Sequence, residues 1–133
     1  MTGDDTVDER RQAAVDRYFA ALAALDEDAF VAAFAPDAVS YDPVGVDPSE
    51  GEAGLRRFFS GITRTFQEMV LTPDASFHAG GQVAVKWTGR GTSHEGVRVE
   101  YEGIDVFEVD DDGRITRLWA YWDPRELFGQ LKG

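Results

Sequence analysis

The stretch Val97-Arg98-Val99-Glu100-Tyr101-Glu102-Gly103-Ile104-Asp105-Val106-Phe107-Glu108-Val109 alternates with period two, as a half-buried strand should. One set holds Val97, Val99, Tyr101, Gly103, Asp105, Phe107 and Val109. The other holds Arg98, Glu100, Glu102, Ile104, Val106 and Glu108, and with them most of the charge. Parity therefore turns Asp105 inward with the apolar set. A carboxylate there must pair with a cation or keep its proton through a raised pKa. No Arg or Lys shares its face on this strand, which favours the neutral, proton-donating form. The plainer alternative is a buried acid bonded to backbone or water.

Outward from this strand the neighbouring segments have the same character. Met69 to His78, Gln82 to Thr92 and Arg114 to Trp122 also read as strands, separated by Ala79-Gly80-Gly81, His94-Glu95-Gly96 and Asp110-Asp111-Asp112-Gly113. Each connection carries a glycine able to take positive φ. Asp123-Pro124-Arg125-Glu126 then combines a cap, an early proline and an acid, the start of a short terminal helix through Leu131.

The first half has a different period. From about Thr6 to Leu25, positions Ala14, Tyr18, Ala21, Leu22 and Leu25 follow helical spacing, so Tyr18 lies on the buried stripe. Asp26 caps a second helix expected to run through Phe34 and to stop at Pro36. A short strand, Ala38 to Tyr41, precedes a loop from Gly45 to Gly51, and a third helix covers about Glu52 to Thr65. Helices first and an antiparallel meander afterwards predict an α+β fold, with three N-terminal helices on one face of a curved, mainly antiparallel sheet. Such a sheet encloses a cone, and its apolar pocket has room for one small ligand. Phe34, Phe59, Met69, Trp87, Phe107, Trp119 and Trp122 are the candidate lining, although an aromatic stripe is more often packing than a binding site.

Tyr41-Asp42-Pro43-Val44-Gly45 carries the second acid of interest. Proline restricts the residue before it and contributes no N–H to the ladder, so Asp42 sits at a defined exit from the sheet. There its side chain is able to face a cavity; the bland alternative is a polar turn.

At 133 residues the chain has the length of one domain, expected over residues 6–133 after a frayed, disordered segment 1–5. Hydrophobic residues make up 43% and aromatics 12%, enough for a packed interior and a pocket. No apolar run long enough for a membrane span and no signal peptide stand out, so a cytoplasmic location is expected. There is no cysteine, hence neither disulfide nor thiol chemistry. With only His78 and His94, no metal site is expected, nor is any other cofactor. A net charge of −12 excludes nucleic acid as a partner, because phosphate binding needs clustered Lys and Arg. An acidic balance of this kind suits a salt-rich cytoplasm.

Several of these segments together resemble a known family. Arg17-Tyr18-Phe19-Ala20-Ala21-Leu22, Val31-Ala32-Ala33-Phe34-Ala35-Pro36-Asp37-Ala38, Asp42-Pro43-Val44-Gly45 and Gly103-Ile104-Asp105-Val106-Phe107 fall in register with the nuclear-transport-factor-2-like, or SnoaL-like, superfamily. Within it the chain looks like the ketosteroid isomerases, and the resemblance covers nearly all of it. It implies a cone-shaped domain, a homodimer and a small hydrophobic ligand, a steroid or a polyketide-like molecule.

Carried over residue by residue, the resemblance makes Tyr18 and Asp105 hydrogen-bond donors to a steroid oxyanion and Asp42 the base that moves the proton. A carboxylic acid kept protonated by an apolar site is a known property of that family; strand parity only puts Asp105 where such a shift is physically expected. The isomerases often support the oxyanion tyrosine with a second tyrosine on the third helix, where this chain has Phe59. Gly-Ile-Asp-Val-Phe also recurs in the polyketide-cyclase-like branch. A cyclase or hydratase using the same enolate chemistry, and a non-catalytic dimeric binding module, are therefore the alternatives.

Overall fold

A computed structural model describes residues 3–132. Helix α1 spans Gly3–Ala24, α2 Glu27–Ala32, α3 Gly51–Thr65 and α4 Pro124–Leu131. The strands are β1 (Phe34–Tyr41), β2 (Ser49–Glu50), β3 (Phe66–Ala79), β4 (Gln82–Ser93), β5 (Arg98–Val109) and β6 (Ile115–Tyr121). Of the segment expected to fray, Gly3 to Asp5 belong to α1, while Met1 and Thr2 lie outside the described residues. Among the described residues, no helix is long and apolar enough to cross a membrane.

All six strands form one sheet in the order β2-β1-β6-β5-β4-β3. Neighbours run antiparallel except β1 and β6, which are parallel, so the sheet is mixed and open. This is the expected α+β architecture of helices packed on a predominantly antiparallel sheet. Helix α1 lies against β3, α3 against β1 and β3, and α4 against β5.

The region around Pro36 departs from expectation. Helix α2 stops at Ala32, and Phe34 already belongs to β1, where it pairs with Ile115. The Ile115 N–H bonds the Ala33 carbonyl and draws the chain into the sheet two residues early. Pro36 is tolerated inside the strand because the ladder with β6 shifts register between Phe34 and Val39. Ser49–Glu50, read as loop, pairs with Val39 and Ser40 as a two-residue edge strand.

Burial along β5 follows the predicted parity: Val99, Tyr101, Asp105, Phe107 and Val109 are inside, while Arg98, Glu100, Glu102 and Ile104 face out. Beneath the helices lies an aromatic cluster. Tyr18 meets Phe107 at 5.0 Å between ring centroids, Phe30 meets Phe59 at 5.0 Å, and Phe34 packs beside both Tyr18 and Phe30. Each buried phenylalanine contributes about 1.5–3 kcal/mol through the hydrophobic effect. This cluster anchors the first helix, and with it Tyr18, over the sheet.

Candidate active site

Three predicted side chains reach one cavity of about 410 Å³: Tyr18 from α1, Asp42 from the end of β1, and Asp105 from the middle of β5. The helical stripe aims Tyr18 inward, and strand parity does the same for Asp105; each keeps only 1% of its surface exposed. Asp42 is half-buried, next to the exposed loop that follows Pro43.

Burial sets the protonation of all three. Asp105 is pushed well above the usual carboxylate range, first by desolvation and then by the nearby charge of Asp42. The indole N–H of Trp87 opposes this shift from close by, yet it falls outside hydrogen-bond geometry. Trp87 Nε1 and both Asp105 oxygens are thus buried without a hydrogen-bond partner. Native proteins rarely leave such groups unpaired, and each one is destabilising by about 1–3 kcal/mol. Three such atoms stand beside one apolar cavity, able to meet a polar atom of a molecule that enters it.

Asp42 has a milder environment. Desolvation raises its pKa to about 6, while a hydrogen bond from Trp122 Nε1 to Oδ1, 2.6 Å long, works against the rise. At neutral pH Asp42 is therefore mostly ionised, while the stronger burial of Asp105 pushes that carboxyl further towards its protonated form. The Tyr18 phenol is held well above its usual value, first by burial and then by the neighbouring acids Asp105 and Asp42, so it remains an O–H donor. One cavity accordingly brings together the Tyr18 hydroxyl and two carboxyls in unlike surroundings. Among the described residues no Lys, Arg or His lines it, and no group of three or more acids and histidines stands together as a metal site.

The SnoaL-like domain family matches residues 15–118, which include all three side chains. The chain belongs to this family. A steroid Δ-isomerase of Nocardioides simplex is 34% identical over 118 residues, covering 87% of this chain and 92% of the relative. SalBIII, an epoxide hydrolase/cyclase-like enzyme with a role in pyran ring formation in polyether salinomycin, is similar in structure, with a TM-score of 0.79 at 29% identity over 90% of this chain and 95% of that one. The Δ5-3-ketosteroid isomerase of a Mycobacterium species shares the fold, with a TM-score of 0.79 at 24% identity, covering 89% of this chain and 96% of that one.

In this SnoaL-like chain the cavity wall differs from the one expected. Met69, Trp87 and Trp122 line it, but Phe34, Phe59 and Phe107 do not. Those three phenylalanines are consumed by the cluster around Tyr18 and Phe30, between helices and sheet. Trp119 follows the opposite parity from Leu118 and Ala120 and stacks on Tyr41 at 6.2 Å on the outer face. The sequence reading missed Phe58, Ile62, Phe66 and Leu71 as wall, and also Phe128 and Val46 near the opening. It also missed Tyr101, although that residue shares the inward parity of Asp105 and the signal was present.

Two glycines make the wall possible. A Cβ on Gly103 would lie 2.6 Å from Trp87 Cζ2 and 2.6 Å from the Tyr121 carbonyl oxygen. One on Gly89 would lie 2.8 Å from Tyr101 Cε1. Absent side chains at these points let the Trp87 and Tyr101 rings lie close against the strands.

Proposed function

We propose that this chain is a steroid Δ-isomerase-like enzyme that moves a carbon–carbon double bond into conjugation with a carbonyl. The observation that carries the reading is the convergence of Tyr18, Asp42 and the fully buried Asp105 on one apolar cavity, where burial pushes Asp105 towards its protonated form. The 34% identity to a steroid Δ-isomerase supports it.

In this mechanism the Asp42 carboxylate takes a proton from the carbon between the carbonyl and the isolated double bond. The electron pair left behind delocalises through the carbonyl and forms a dienolate. Tyr18 and Asp105 donate O–H hydrogen bonds to its oxygen without giving up their protons. Asp42 then returns the proton to the far carbon of the original double bond, and the carbonyl re-forms in conjugation. No atom is gained or lost, so neither a metal nor an organic cofactor is required. Asp42 is suited to the shuttle because a base with a pKa of about 6 both accepts and releases a proton near neutral pH.

The similarity to SalBIII supports a second reading, an epoxide-opening cyclase. There the attacking hydroxyl would form the new C–O bond as the epoxide C–O bond breaks, Asp42 taking its proton and Asp105 giving one to the released oxygen, after which a proton passes back from Asp42 to Asp105 through solvent. An ultraviolet assay distinguishes the two readings. An unconjugated Δ5-3-oxo-steroid should give the absorbance of the conjugated enone when mixed with the protein. Tight steroid binding with no absorbance change would instead mean a non-catalytic binding module, and neither binding nor turnover would favour the cyclase.

A further inference from the structure

The isomerisation uses Tyr18, Asp42 and Asp105 and leaves one buried hydroxyl in the cavity without a task. Tyr101 stands on the same face of β5 as Asp105, four residues earlier, so the two Cα atoms are about 13 Å apart along the strand. Its ring lies over Gly89 and is held edge-on by Trp87, 5.2 Å away, and by Trp122, 5.5 Å away. From there the hydroxyl reaches across to β3. Its sole partner among the described residues is the Met69 sulfur, at 3.8 Å.

A thioether is a weak acceptor, whereas a buried tyrosine hydroxyl usually finds a strong one. The surrounding wall provides none: Phe66, Met69 and Leu71 are apolar, and the Thr65 hydroxyl donates to its own helix at the Gly61 carbonyl. Met69 is the one flexible neighbour, able to swing aside when something better arrives. The Tyr101 ring is fixed and its O–H is available, well separated along the strand from Asp105.

We propose that Tyr101 is the second polar anchor of the cavity and binds a second oxygen of the substrate, at the end remote from the reacting carbonyl. The substrate class becomes an uncharged, elongated apolar ketone with a hydroxyl or carbonyl at its far end. A carboxylate or phosphate at that end is disfavoured: among the described residues the cavity has no cation, and the ionised Asp42 would repel it. This inference rests on the isomerase reading for the position of the first oxygen.

The test uses two 3-oxo-steroids, one with an oxygen at C17 and one without. Quenching of Trp87 and Trp122 fluorescence reports their binding to the wild-type protein and to Tyr101→Phe, which keeps the ring and its packing. Wild type should bind the C17-oxygenated steroid about 3–10-fold more tightly, the worth of one hydrogen bond. Tyr101→Phe should bind the two alike. A preference that survives in Tyr101→Phe, no preference in wild type, or no binding of either steroid overturns the proposal. The isomerase reading fails on a separate readout: no enone absorbance from a Δ5-3-oxo-steroid would sink it, while the affinity ratio and its loss in Tyr101→Phe would still establish the anchor.

Discussion

The indole N–H of Trp122 donates to Oδ1 of Asp42 across 2.6 Å, joining the residue that follows β6 to the residue that follows β1. The parallel pairing of β1 with β6 brings these two strand ends together; Tyr41 is in register with Trp119. The bond fixes the carboxylate against the cavity and lowers its pKa, opposing the desolvation that raises it.

Removing that donor should therefore move the pH dependence of catalysis. In the proposed mechanism Asp42 acts as a carboxylate, so the wild-type rate should rise with pH through about 6. In Trp122→Phe the carboxylate loses its hydrogen bond, its pKa climbs, and the acid limb of kcat/KM should shift to higher pH. A pH–rate profile of the two proteins checks this. An unmoved limb would mean that the Trp122 contact does not tune the base.

Asp105 has a consequence for stability as well as for catalysis. Its folded pKa lies well above the unfolded value of 3.8, so its favourable contribution is complete below that pH and is lost as the pH rises through the folded value. Asp105→Asn removes this titration. The variant should gain stability relative to wild type as the pH goes from about 4 towards 8, as read by urea denaturation at several pH values. A stability difference that stays flat over this range would contradict a protonated buried Asp105.

The same residue should show graded effects on turnover. If Asp105 donates to the developing oxyanion as proposed, Asp105→Ala should lower kcat by roughly 10²–10³-fold. Asp105→Asn should be milder because an amide still donates. Steady-state kinetics on the Δ5-3-oxo-steroid distinguishes them, and equal losses would argue that Asp105 acts through its shape alone.

Gly103→Ala probes the wall. The added Cβ meets both the Trp87 ring and the Tyr121 backbone carbonyl at 2.6 Å, and the carbonyl is held in the sheet. A loss of about 1–3 kcal/mol in unfolding free energy is expected, as for overpacking elsewhere. Weaker steroid binding should accompany it, since Trp87 lines the cavity. A variant as stable as wild type would show that the strand relaxes there at little cost.

Much of the architecture was legible in local pattern. The alternation of Val97 to Val109 placed Asp105 inside, the helical stripe placed Tyr18, and Asp123-Pro124 marked the last helix, where the Asp123 carboxylate indeed accepts from the Arg125 N–H. What escaped depends on contacts distant in sequence. Phe34 joins β1 only because Ile115 pairs with it, and Ser49–Glu50 becomes a strand only against Val39 and Ser40. For the same reason the sequence could name aromatic residues but not divide them: Phe34, Phe59 and Phe107 fill the space under the helices, while Tyr101 and Phe58 face the cavity. That division is decided by how the strands curve around the first helix, and no single segment encodes it.

The proposed mechanism gives the proton transfer to Asp42, and the decisive comparison is Asp42→Asn against wild type on a Δ5-3-oxo-steroid. The amide preserves shape but cannot take the proton. With steroid affinity matched by fluorescence, enone formation should fall by about 10²–10⁴-fold. An Asp42→Asn protein that forms the conjugated enone as fast as wild type would mean that another group moves the proton.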